Sequence, residues 1–313
     1  MNIVFMGTPD FAVESLSKIY DSGHNILAVV SQPDRPSGRG MKLKYTPVKE
    51  FALSKGLTVY QVEKVKKNIE FIEQIRNLKP DVIVVVAFGQ ILPEELLNIP
   101  KYGSINVHGS LLPKYRGAAP IQWSIINGEE YTGITTMYMD AGMDTGDMIL
   151  KEEIKIEDDD NFGTLYEKMK KLGGKLIIDT LEKIADGVAP REKQGEEFTL
   201  APMITKDVCK INWSKSAFEI RNLIRGLNPI PGAYTFMGDQ TVKIWDSEAI
   251  NEKVEEAPGT IILSDKKSGI HIATGDGVLI IKEIQMPNSR RMGILDYLRG
   301  NTIEVGTVFN WIY

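Results

Sequence analysis

Up to about residue 190 the chain alternates short β-branched runs with stretches in which apolar residues return at helical spacing. That is the rhythm of a parallel sheet with crossover helices. Ile3-Val4-Phe5-Met6 reads as a first strand, and Thr8-Pro9-Asp10 opens a helix reaching about Tyr20. A second strand lies at 26–30. The unbroken run 82–86, Val-Ile-Val-Val-Val, predicts a central strand buried on both faces. Residues 105–108 and 133–138 read as further strands, and the acidic, cap-rich stretch 158–161 leads into a helix ending near Ala185.

The pattern fails between Asp186 and Thr205. Gly187, Pro190, Gly195 and Pro202 punctuate polar residues there, so the stretch reads as a linker. Beyond it come a helix at about 216–225 and short strand signals at 233–237, 241–245, 259–263, 270–273 and 278–284. Short, closely spaced strands predict a small β-barrel of the oligonucleotide-binding type. The expected organisation is an α/β domain with a mostly parallel sheet over residues 1–189, a linker over 190–205, and a smaller C-terminal β-barrel domain over 206–313.

Composition narrows the class without naming it. Of 313 residues, 42% are hydrophobic and 25% charged, which is ordinary for a globular protein. Cys209 is the only cysteine, so an intramolecular disulfide and a thiolate-rich metal site are excluded, and a cytoplasmic protein is expected. The N-terminus lacks a basic leader, and no apolar run approaches the ~20 residues of a membrane helix. The net charge is −5, and residues 206–313 carry 13 Lys and Arg against 13 Asp and Glu. Any nucleic-acid contact must therefore come from local basic patches. One such patch is the long loop 32–44, where Arg35, Arg39, Lys42 and Lys44 stand against a single Asp. Its length and charge suit contact with an anionic partner such as RNA phosphate.

The candidate chemistry is concentrated at 103–122. Asn106 and His108 are two apart in a β-type run, so both leave one face of a strand. The strand then enters a Gly/Ser/Pro loop, where α/β enzymes carry their chemistry. An amide beside an imidazole can bind a developing oxyanion and move a proton. Downstream, one of Asp140, Asp144 and Asp147 is expected to act with His108, and spacing leaves open which. These aspartates do not match a calcium loop, and His24, His108 and His271 offer no pair at ligand spacing, so no metal is expected. The first βα turn, Gly7-Thr8-Pro9-Asp10, lacks the glycines of a dinucleotide fingerprint, which argues against a nicotinamide dehydrogenase.

Six stretches together resemble the methionyl-tRNA formyltransferase family: 6–12 (MGTPDFA), 32–40 (QPDRPSGRG), 106–113 (NVHGSLLP), 116–122 (RGAAPIQ), 143–148 (MDTGDM) and 273–277 (ATGDG). The resemblance spans nearly the whole chain. It implies a Rossmann-like formyltransferase domain followed by a tRNA-binding barrel, with 10-formyltetrahydrofolate as co-substrate and initiator methionyl-tRNA as acceptor. Asn106, His108 and Asp144 would be the catalytic set. Ser110, Leu111, Leu112 and Pro113 would fall on the folate-binding stretch, and backbone at 88–92 and 140–144 would line the pterin pocket. Arg35, Arg39, Lys42 and Lys44 would meet the acceptor end of the tRNA. A monomer is expected. Two rival readings remain: a folate-dependent formyltransferase acting on a small amine such as a sugar nucleotide, and an RNA-binding module without catalysis. The basic loop and the barrel weigh against the first, and the Asn106/His108/Asp144 set against the second.

Overall fold

The computed structural model of the chain describes residues 1–37 and 42–310. From the N-terminus run β1 (Asn2–Gly7), α1 (Asp10–Asp21), β2 (Asn25–Ser31), β3 (Arg35–Ser37), β4 (Lys42–Lys44), α2 (Pro47–Ser54) and β5 (Val59–Gln61). Next come α3 (Ile69–Leu78), β6 (Val82–Val86), α4 (Glu94–Leu97), β7 (Ser104–His108), β8 (Arg116–Gly117), α5 (Pro120–Ile126), β9 (Tyr131–Tyr138), β10 (Met148–Lys155) and α6 (Phe162–Ala185). The remainder is β11 (Leu200–Ala201), α7 (Ala217–Leu227), β12 (Ala233–Met237), β13 (Gln240–Ile250), β14 (Ile261–Asp265), β15 (Gly269–Ala273), β16 (Val278–Gln285), β17 (Met292–Gly293), α8 (Ile294–Gly300) and β18 (Phe309–Asn310). Two compact units are built from interleaved stretches. Met1–Gly117, Thr132–Ile154 and Tyr166–Ala201 form the first, while Ala118–Tyr131, Lys155–Leu165 and the chain from Pro202 form the second.

The first unit is a sheet in the order β10-β9-β7-β6-β1-β2-β5. Pairing is parallel from β5 through β7, and β9 turns antiparallel against β7. β6 sits in the middle with every residue buried, as its β-branched run predicts. The order reverses between β1 and β6, and open α/β sheets form their crevice at such a switch point, outside the carboxyl ends of the strands. Hydrogen bonds tie the loops at that edge together: Thr8 Oγ1 donates to the Phe88 carbonyl at 3.1 Å, and Gln32 Nε2 donates to the Phe88 and Gly89 carbonyls at 3.0 and 3.2 Å. On one face α6 comes unusually close to the sheet, because a Cβ on Gly173 would meet Val107 at 3.1 Å. Thr180 of α6 shares a buried 2.8 Å hydrogen bond with Thr136 of β9.

The second unit is antiparallel, with the path β14-β15-β16-β13-β12-β18 and β17 beside β16. Its two ends meet. Thr260 bridges Val308, and Phe309 N–H donates to the Gly259 carbonyl at 2.8 Å, which closes the sheet toward a barrel. The core holds Trp213, Ile244, Ile272, Ile281 and Phe309, all 1% exposed or less, with Trp213 stacked on Phe309 at 5.9 Å between ring centroids. Helix α7 begins with the full reciprocal cap, in which the Ser216 hydroxyl accepts from Glu219 N–H and the Glu219 carboxylate accepts from Ser216 N–H. Among the described residues no helix is long and apolar enough to cross a membrane.

Candidate active site

β7 delivers both strand-borne candidates to the carboxyl edge of the sheet. Ser104, Ile105, Val107 and His108 are buried and Asn106 is half-buried. The His108 ring places Nε2 2.9 Å from the Tyr115 carbonyl oxygen. A carbonyl only accepts, so Nε2 carries the hydrogen of that bond. Nδ1 then faces the Asp144 carboxylate, 3.6 Å from Oδ2. Asn106 Nδ2 reaches the other carboxylate oxygen of Asp144 at 3.4 Å.

Geometry separates the three downstream aspartates. Asp140 Oδ1 accepts from Gly142 N–H at 3.0 Å and from the Thr145 hydroxyl at 2.6 Å, closing its own exposed loop. Asp147 pairs with Arg191 at 3.7 Å. Asp144 is the one brought to His108 and Asn106. It adopts a left-handed backbone, φ 55°, and its Oδ2 accepts from Gly117 N–H at 2.8 Å. The Gly117 and Asn106 donors and the His108 ring thus surround one carboxylate. The firm Gly117 bond pins it, while the longer approaches leave Asn106 Nδ2 and His108 Nδ1 available to a substrate oxygen.

The loop 110–113 divides into anchoring and accessible residues. The Ser110 hydroxyl is fully buried and donates to the Lys114 carbonyl at 2.6 Å. Thr135 of β9 donates to the Ser110 carbonyl at 2.7 Å and accepts from Leu112 N–H at 3.0 Å. Leu112 packs with Met137 and Met148, so Ser110 and Leu112 hold the loop while Leu111 and Pro113 stay partly exposed. Across the edge, the Gln90 side chain stiffens the turn after β6 by bonding Val65 N–H and the Val62 carbonyl. Ile91 and Met143 are exposed apolar side chains in the loops after β6 and β9.

Arg35 and Lys44 pair on the β3–β4 hairpin and are exposed. The backbone of Lys42 pairs with Ser37. Arg39 lies outside the described residues. The hairpin root is fixed by Asp34, which accepts from Lys49 Nζ at 2.5 Å and Gln61 Nε2 at 2.9 Å. Desolvation pushes the Asp34 carboxyl up, but the Lys49 and Gln61 bonds and the lysine charge outweigh it and leave it below its ordinary value.

Sequence reading missed Gln194. Its Nε2 donates to the carbonyls of Asp144 at 2.7 Å and Gly146 at 2.9 Å, while its Oε1 accepts from Arg116 Nε at 2.9 Å. No periodicity marks a lone polar residue in a punctuated stretch, and its partner lies 50 positions away.

Residues 1–181 match the family model described as Formyl transferase, and residues 203–302 match the one described as Formyl transferase, C-terminal domain. A relative named Methionyl-tRNA formyltransferase, from Clostridioides difficile, is 56% identical over 98% of this chain and 99% of its own length. The chain belongs to the methionyl-tRNA formyltransferase family. A second relative of that name, from Caldanaerobacter subterraneus, is 53% identical over the same shares. Among solved structures, an N-formyltransferase from Helicobacter canadensis in complex with folinic acid and dTDP-3-aminofucose matches with a TM-score of 0.67. It covers 93% of this chain and 99% of its own, at 22% identity, so this family member shares its fold.

Proposed function

We propose that the protein transfers the formyl group of 10-formyltetrahydrofolate to the α-amino group of methionine esterified to initiator tRNA, releasing tetrahydrofolate and N-formylmethionyl-tRNA. The observation that carries this reading is the 56% identity, over nearly the whole chain, to an enzyme of that name. The convergence of Asn106 and His108 on Asp144 supports it with matching chemistry.

The free amine attacks the formyl carbon, the C=O electron pair moves onto oxygen, and a tetrahedral oxyanion forms. Asn106 donates its amide N–H to that oxygen. His108 Nε2 is taken by the Tyr115 carbonyl, so Nδ1, beside Asp144, is the ring nitrogen that faces the oxyanion and stabilises it. Asp144 orients His108 and takes the ammonium proton of the attacking nitrogen, directly or through a water. Collapse of the intermediate breaks the bond from the formyl carbon to the folate nitrogen, which leaves with the proton that Asp144 took from the amine.

Leu111 and Pro113, with backbone at 88–92 and 140–144, hold the folate. Ser110 and Leu112 act by shaping that loop. Arg35, Arg39, Lys42 and Lys44 meet acceptor-end phosphates. Residues 1–189 carry the reacting groups, 190–205 lead on from them while staying packed on the first unit as far as Ala201, and 206–313 hold the tRNA body. The enzyme works without a bound metal, as a cytoplasmic monomer. The test is a formylation assay with charged initiator and elongator methionyl-tRNA and 10-formyltetrahydrofolate. Transfer to the initiator is expected. Transfer to neither tRNA, with folate still bound, would leave a small amine as the acceptor.

A further inference from the structure

We propose that Gln194 is a positioning residue for Asp144, and that the segment 192–201 is the strap through which it acts. The proposal rests on the reading of Asp144 as part of the reacting site. Gln194 uses its amide fully: both Nε2 hydrogens go to carbonyls two residues apart, those of Asp144 and Gly146, and Oε1 takes Arg116 Nε. An amide committed to three buried or half-buried partners fixes a backbone rather than filling space. The backbone it holds is an uncommon one, since Asp144 sits at φ 55°, the left-handed region that aspartate enters more readily than most non-glycine residues but that few residues occupy.

The rest of the strap grips the other supports of the site. Glu192 and Met148 exchange backbone hydrogen bonds at 2.8 and 2.9 Å, anchoring the strap beside the aspartate loop. The Thr199 hydroxyl accepts from Tyr115 N–H at 2.8 Å, and the Thr199 carbonyl accepts from Arg116 N–H at 2.9 Å. Leu200 and Ala201 pair in parallel with Arg116 and Gly117. The buried Arg116 guanidinium lies over the Phe198 ring at 4.5 Å. Tyr115 supplies the carbonyl that receives His108, and Gly117 supplies the N–H that pins Asp144. One strap therefore sets the ring and the carboxylate together, and Gln194 is its direct hold on the carboxylate residue.

The discriminating variant is Gln194→Glu. It keeps the shape and the acceptor for Arg116 but turns an oxygen toward two carbonyl oxygens that need donors. The expected result is a fall in kcat of about ten- to a hundredfold, the scale of a reacting group displaced by a fraction of an ångström. KM for both substrates and the melting temperature should stay close to those of the parent. Gln194→Ala, read in the same way, guards against a folding defect peculiar to the charged variant. A double-mutant cycle with Asp144→Asn then separates positioning from general support. If Gln194 acts through Asp144, its substitution costs little in the Asp144→Asn enzyme. Equal losses in both backgrounds, or an unchanged kcat in the Gln194 variants alone, overturn the proposal while leaving the reading of Asp144 intact. An unchanged kcat in Asp144→Asn overturns that reading and this proposal with it.

Discussion

His108 donates its Nε2 hydrogen to the carbonyl of Tyr115, and that bond, 2.9 Å long, decides which ring atom works. With Nε2 committed, Nδ1 is the nitrogen that faces the reacting side, toward Asp144. Replacing His108 with Ala should lower kcat by roughly 10²–10³, the usual loss for one oxyanion-stabilising group. His108→Asn, whose amide nitrogen can stand near the Nδ1 position, should retain more activity than His108→Gln, whose amide reaches the Nε2 position. Single-turnover rates of the three variants rank them. The reverse order would place the working atom at Nε2.

Asn106 reaches Asp144 only through a 3.4 Å approach, so its amide is better placed to serve a substrate oxygen than to hold the fold. Asn106→Ala should cost ~10²–10³ in kcat while leaving the melting temperature near that of the parent. A large loss of stability with a small loss of rate would assign it to the scaffold.

Gly117 combines φ 124° with a backbone approach that leaves no room for a side chain, since a Cβ would sit 2.7 Å from the Ala201 carbonyl oxygen. Its N–H is the short bond to Asp144. Gly117→Ala should therefore destabilise the protein by about 1–3 kcal/mol and reduce kcat at temperatures where it is still folded. Thermal unfolding followed by circular dichroism, paired with the formylation assay, reads both effects.

Bonds to the Glu219 carboxylate from the backbone N–H of Ser216, then from Lys215 and the Ser216 hydroxyl, lower its pKa from 4.5 to about 2. The folded value lies below the unfolded one, so this stabilisation is complete above about pH 4.5 and is lost as pH falls toward 2. The group is exposed, and screening limits the contribution to about 0.5–1 kcal/mol. Urea midpoints measured between pH 3 and 6 should fall with acidification less steeply in Glu219→Gln than in the parent.

Arg35 and Lys44 stand exposed and opposite one another on the β3–β4 hairpin. If they meet tRNA phosphates, replacing each with Ala should weaken tRNA binding and reduce its salt dependence by ~1 in the log–log slope per side chain. Folate binding should not change. An unchanged slope would move the RNA contact elsewhere.

Much of this architecture is legible in residue order because local physics dictates it. The run 82–86 has no polar residue to offer water, and it becomes the fully buried β6. The helix expected at about 216–225 is found as α7 over Ala217–Leu227. The alternation that puts Asn106 and His108 on one face survives in β7. What stays hidden depends on distant partners. Asp140, Asp144 and Asp147 look equivalent until the fold gives Asp140 to Thr145 and Asp147 to Arg191. The stretch after α6 reads as a linker because its order comes from backbone pairing with 115–117 and 148, not from a periodic apolar face.

Helix α5 packs in the second unit against α7, so closely that a Cβ on Gly226 would strike Ile126. On the ribosome these two helices emerge far apart in time. At roughly 5–20 residues per second, the ~90 residues between them correspond to a wait of about 5–20 s. Throughout that interval the nascent chain carries Ile126, which packs against the second unit's core in the finished protein, without the α7 surface it will meet. The apolar side of α5 is thus exposed during synthesis for as long as α7 is still to come.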